Sequence, residues 1–153
     1  MTPGGIGRKT LTSVAAGLVA GTTNLIAAGA IYHGTLTHGL QTIASGLLGE
    51  QAFAGGRATA VLGGCLHYAI SIVAAGIYLW AAGWSSGLRW HWLAGGTAFG
   101  VVAYAVMNLV VVPLSNAANP DLSLVMIAKE LVAHTIMFGI PISGVVALLS
   151  RSG

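Results

Sequence analysis

The chain has 153 residues, 56% of them hydrophobic and 6% charged, where a soluble domain carries roughly 25% Asp, Glu, Lys and Arg. Six basic and three acidic side chains cannot cover a soluble globule of this size, and they form no stripe able to neutralise nucleic-acid phosphates. A mean hydropathy of +0.85 leaves an all-α polytopic membrane protein, whose surface meets lipid and needs no charge.

The charges bracket the stretches that can cross, an apolar helix needing ~20 residues to span the hydrocarbon core. The first follows Arg8 and Lys9 and runs over about 11–32. Its flank Ala28-Gly29-Ala30 has the small residues of a signal-peptide cleavage site, but the helix is expected to persist as a span. Over 36–48 the residues Leu36, Leu40, Ile43, Ala44, Leu47 and Leu48 recur at helical spacing, with Thr37, His38, Gln41, Thr42 and Ser45 between them. This predicts an interfacial or re-entrant helix, either lying on headgroups with its leucines buried in lipid or closing a cavity near His33 and His38. Spans two and three are predicted over 58–82 and 92–112, ending at Pro113. The fourth, over 123–149, carries Lys129 and Glu130 in its first turns, and Pro141 is expected to kink it. The domain organisation is thus one integral membrane domain over 1–153.

An even number of spans puts both termini on one side. Arg8, Lys9, Arg89 and Arg151 fall there without an acid, whereas Glu50, Asp121 and Glu130 fall opposite with Arg57 and Lys129. The positive-inside bias then makes both termini cytoplasmic, with Trp80, Trp84, Trp90 and Trp92 as an interfacial belt on that face.

Glycine is abundant, 23 residues, and in lipid small residues let helices approach for dispersion contact. Gly17 and Gly21 in span one and Gly96 and Gly100 in span three have the spacing of a packing face, and spans one and three are expected to pack on each other through them. A faint parallel repeat relates Leu18-Val19-Ala20-Gly21-Thr22 to Leu93-Ala94-Gly95-Gly96-Thr97. His67 lies nine residues (67 − 58) into span two, ~14 Å deep at the helical rise, and His134 lies at nearly the same depth in span four. Asn24, Asn108 and Glu130 are shallower in the same half. Polar groups in a membrane are costly and face the interior with partners. Asn24, His67, Asn108, Glu130 and His134 therefore either glue helices together or line a small outward-facing pocket.

The runs Leu66-His67-Tyr68 with Ala74-Ala75-Gly76-Ile77-Tyr78, Trp92-Leu93-Ala94-Gly95 through Asn108 to Pro113-Leu114, and Glu130-Leu131-Val132-Ala133-His134 resemble the YagU-like small inner-membrane proteins of bacteria. The runs Gln41-Thr42-Ile43-Ala44-Ser45-Gly46-Leu47-Leu48-Gly49 and Ala52-Phe53-Ala54-Gly55-Gly56 are similar to those of uncharacterised four-span bacterial proteins of this length. The resemblance covers about two thirds of the chain. It implies a four-span fold in the bacterial inner membrane and no particular chemistry.

Function is read from the polar layer. No Ser/His/Asp set, no paired carboxylates and no Cys/His spacing around Cys65 points to catalysis or to a metal. The expected role is non-enzymatic: an accessory or structural subunit that docks on other membrane subunits or on itself, or a small binding module with an outward polar pocket. A second reading makes His67 and His134 the axial ligands of haem b or another pigment, which equal depth would serve. A third is a proton or small-solute pathway, although the inner halves of the spans offer little polar lining.

Overall fold

The computed structural model describes residues 3–151, and every regular element among them is a helix. Helix α1 (Pro3–Tyr32) is followed by α2 (Leu36–Leu48), the short α3 (Gln51–Ala54), α4 (Gly56–Trp84), α5 (Ser86–Trp90), α6 (Trp92–Val106), α7 (Leu124–Val132) and α8 (Ile140–Arg151). Two π-helical segments, Met107–Val111 after α6 and Ala133–Gly139 between α7 and α8, extend their neighbours. Four continuous helices are long and apolar enough to cross a membrane: Ile6–Tyr32, Gly56–Trp84, Trp92–Val111 and Leu124–Ser150. The first therefore starts five residues (11 − 6) before the expected point, and the other ends move by at most two.

Spans one and four occupy the centre. Span one packs on spans two and four, and span four packs on span three. At the end that carries the termini, Ala16, Ala20, Ala75, Tyr78, Ala82, Phe138, Ile142 and Val146 form a buried core from spans one, two and four. Tyr78 closes it toward span three: its hydroxyl donates to the Leu88 carbonyl at 3.2 Å, and its ring meets Phe99 edge-on at 5.2 Å.

The glycines pair helices differently from the expectation. A Cβ on Gly17 would lie 2.5 Å from Ile72 Cα, and one on Gly21 would lie 3.0 Å from the Tyr68 ring, so both face span two. A Cβ on Gly96 would lie 2.8 Å from the Gly139 carbonyl, and one on Gly100 2.5 Å from Thr135 Cα, so both face span four. Spans one and three do not use this face for each other. The first helix of each hairpin presents it to the second, so that spans one and two, and spans three and four, approach through their small residues. Gly21 and Gly96, equivalent in the faint repeat, thus do the same work in two successive hairpins.

Pro141 is taken up by a widened helix. It has no N–H for the Met137 carbonyl four residues back, and the π segment that contains Met137 ends two residues before it. The Thr23 hydroxyl of span one reaches the Met137 oxygen at 2.5 Å, which ties the two central spans where the ladder loses a donor.

Helix α2 matches its predicted range, and the face it seats on the protein is its small, polar one. Thr35 caps it by accepting from the His38 N–H at 3.2 Å, and Gly49 ends it at φ 59°, where a side chain would be strained. Gln41, Ala44 and Ser45 are the buried residues, whereas Leu36, Leu47 and Leu48 are exposed. The reason is the approach to span two. The Leu40 carbonyl and the Ala44 amide lie directly over Gly63, where any Cβ would overlap the carbonyl oxygen. Only small side chains and a bonded amide fit at that separation, so the leucines turn to the surrounding apolar phase. The Gln41 amide donates to the Gly56 carbonyl at 3.0 Å. From the loop after span three, Asn116 donates its backbone N–H to the Gly46 carbonyl and its side-chain amide to the Leu47 carbonyl, both at 3.0 Å. These bonds satisfy the last turn of α2 and tie it to the second hairpin.

Candidate functional site

At the end that carries α2, the faces of spans one and four that meet carry a few polar side chains among apolar ones. In span one Asn24, Ala28 and Tyr32 follow each other at i, i+4, i+8 and share a stripe. In span four Glu130, Ala133 and His134 lie at i, i+3, i+4. Together with Ile31 they enclose a cavity of about 50 Å³, room for one or two water-sized occupants. The Tyr32 hydroxyl donates to Glu130 Oε1. His134 Nδ1–H donates to the Glu130 backbone carbonyl at 2.8 Å, since a carbonyl can only accept. The imidazole is further held by Tyr104, 5.6 Å away at 73°, and by Phe138, 6.3 Å away at 61°. No Lys or Arg lines the cavity.

Three of the five polar residues singled out in the sequence, Asn24, Glu130 and His134, thus come together. The other two do not line this cavity. His67 Nε2–H donates to the Gly21 carbonyl at 2.8 Å, because the close contact at Gly17 and Gly21 brings the backbone of span one to the imidazole. Asn108 is buried and gives its amide to the Tyr104 carbonyl at 3.2 Å within its own helix. Among the described residues no group of three or more His, Cys, Asp or Glu gathers as metal ligands would.

Tyr32 was missed by the sequence reading, which placed it at a span end and stopped there. The signal was present in its spacing: it lies two helical turns beyond Asn24 on the same face. Of the three predicted residues in the second hairpin, Asn108 and His134 fall inside the π segments and Glu130 lies in α7 just before one; such segments recur at functional sites in helices.

The chain matches no protein-family model, no curated protein and no solved structure.

Proposed function

We propose that this chain is a non-enzymatic integral membrane protein, a small binding module that holds one monovalent cation between spans one and four. The observation that carries the reading is Glu130, which stands with Asn24, Tyr32 and His134 around a half-open, mostly apolar cavity of about 50 Å³ that no basic side chain lines. A carboxylate within a spanning helix is costly and calls for a compensating positive charge. Tyr32 brings a hydrogen bond to it but no charge, so the compensation comes from an occupant. Oxygen donors from Glu130, Tyr32 and Asn24 suit a hard cation, and the space admits one of the size of sodium or ammonium. A purely structural subunit would gain by exchanging the carboxylate for a neutral side chain, which favours binding over scaffolding. The bias of Arg8, Lys9 and Arg89 toward the end with the termini supports cytoplasmic termini and an outward pocket. The resemblance to the YagU-like proteins supports the bacterial inner membrane as its location.

The test is thermal unfolding of the purified protein in sodium, ammonium and choline chloride at one ionic strength. Sodium or ammonium should raise the melting temperature above that in choline, whose cation is too large, and Glu130→Gln should respond to none of them. Equal melting in the three salts, or an unchanged response in Glu130→Gln, refutes the reading.

A further inference from the structure

The opposite end of the molecule holds a second and larger cavity that the polar pocket does not use. It is an open groove of about 280 Å³ lined by Arg89 and Trp90 of α5 and by Ala147 and Ser150 in the last turns of span four. Arg89 Nη1–H donates to the Ala82 carbonyl at 2.5 Å, and Arg8 Nη2–H donates to the Leu149 carbonyl at 2.7 Å. Two guanidinium groups, one from α5 and one from span one, are thereby anchored beside the turn that bears Ser150. Each spends one of five N–H donors on its anchor, and the anchor reduces the freedom a further bond would otherwise cost. The acids Glu50, Asp121 and Glu130 all lie at the other end of the spans. Trp90 of the groove, and Trp80 and Trp84 in the last turns of span two at the same end, are exposed, as indoles that sit among headgroups are.

We infer that this groove binds the headgroup of an anionic phospholipid of the leaflet that contacts the termini. The phosphodiester takes charge-assisted bonds from Arg89 and a hydroxyl bond from Ser150, Arg8 adds to the positive field, and the acyl chains run down the apolar outer surface of the spans. This site is separate from the cation pocket and stands whether or not that pocket is filled.

The experiment is native mass spectrometry of the full chain released from mixed phosphatidylglycerol and phosphatidylcholine nanodiscs. The protein should retain phosphatidylglycerol over phosphatidylcholine by about fivefold, the order expected for one basic side chain at a lipid surface. Arg89→Gln should bring the ratio to near one. Because Arg89 also satisfies the Ala82 carbonyl, Ser150→Trp is the second variant: it fills the groove, leaves that bond in place, and should abolish the preference too. Lys129→Gln, at the far end, should keep it. Equal retention of the two lipids by the unaltered protein, or a preference that survives both groove variants, overturns the inference. So does stabilisation by inorganic phosphate alone to the same extent, which would mark a site for small anions.

Discussion

Replacing Gly63 by alanine puts one methyl group where α2 crosses span two, and its consequence can be followed atom by atom. The new Cβ would overlap the Leu40 carbonyl oxygen and would lie 2.7 Å from the Leu40 carbonyl carbon and 3.2 Å from the Ala44 amide nitrogen. These are backbone atoms of a helix, so no side-chain rotation relieves the overlap. Ordinary contact lies at about 3.5 Å, and α2 must lift by roughly 1.5 Å to reach it. That shift would stretch the Gln41 bond to Gly56 and the two Asn116 bonds to Gly46 and Leu47, each 3.0 Å now, beyond hydrogen-bonding range. With overpacking at about 1–3 kcal/mol and each lost bond at about 1 kcal/mol, partial relaxation leaves an expected loss of about 2–4 kcal/mol. The assays are thermal unfolding in detergent and hydrogen exchange, and exchange should rise in α2 and in the loop containing Asn116 but not in α8. Gly39→Ala is the control, since a Cβ there meets nothing within 4 Å and helix propensity alone should make it neutral or slightly stabilising. If Gly63→Ala melts and exchanges like the unaltered protein, α2 does not rest on span two as described.

Gly100→Ala should separate spans three and four at His134 and Thr135 and lower stability by about 1–3 kcal/mol, whereas Gly76→Ala, whose Cβ would sit 3.6 Å from Ser13 Oγ, should melt unchanged. Thr23→Val removes the donor from the Met137 carbonyl and should cost about 1–2 kcal/mol. That cost should shrink in a Pro141→Ala background, where the N–H is restored, and strict additivity in the double-mutant cycle would count against the proposed role of Thr23. Reporter domains fused after the last residue and inserted in the loop near Asn116 should report opposite sides of the membrane, and the same side for both would break the four-span scheme.

Much of this architecture was legible in residue order. The number of spans follows from where nine charges interrupt an apolar chain, and the cost of a charge in hydrocarbon makes those interruptions reliable boundaries. Helix α2 follows from a helical period set between Thr35, which caps, and Gly49, which adopts a positive φ. Asn24, Glu130 and His134 were found because a polar group in a span is conspicuous.

What the sequence left undecided was which surfaces meet. A glycine pair declares that some backbone comes close but carries no side chain to choose the partner, so only the packed bundle assigns Gly17 and Gly21 to span two and Gly96 and Gly100 to span four. The leucines of α2 declare an apolar face, but in lipid such a face is equally at home outside, and the closeness of Gly63 turned the small polar face inward instead. Tyr32 joined the pocket and His67 left it for the same reason. A side chain's depth follows from counting residues, but its neighbour depends on how the helices rotate about their axes, and close packing at the glycines sets that rotation.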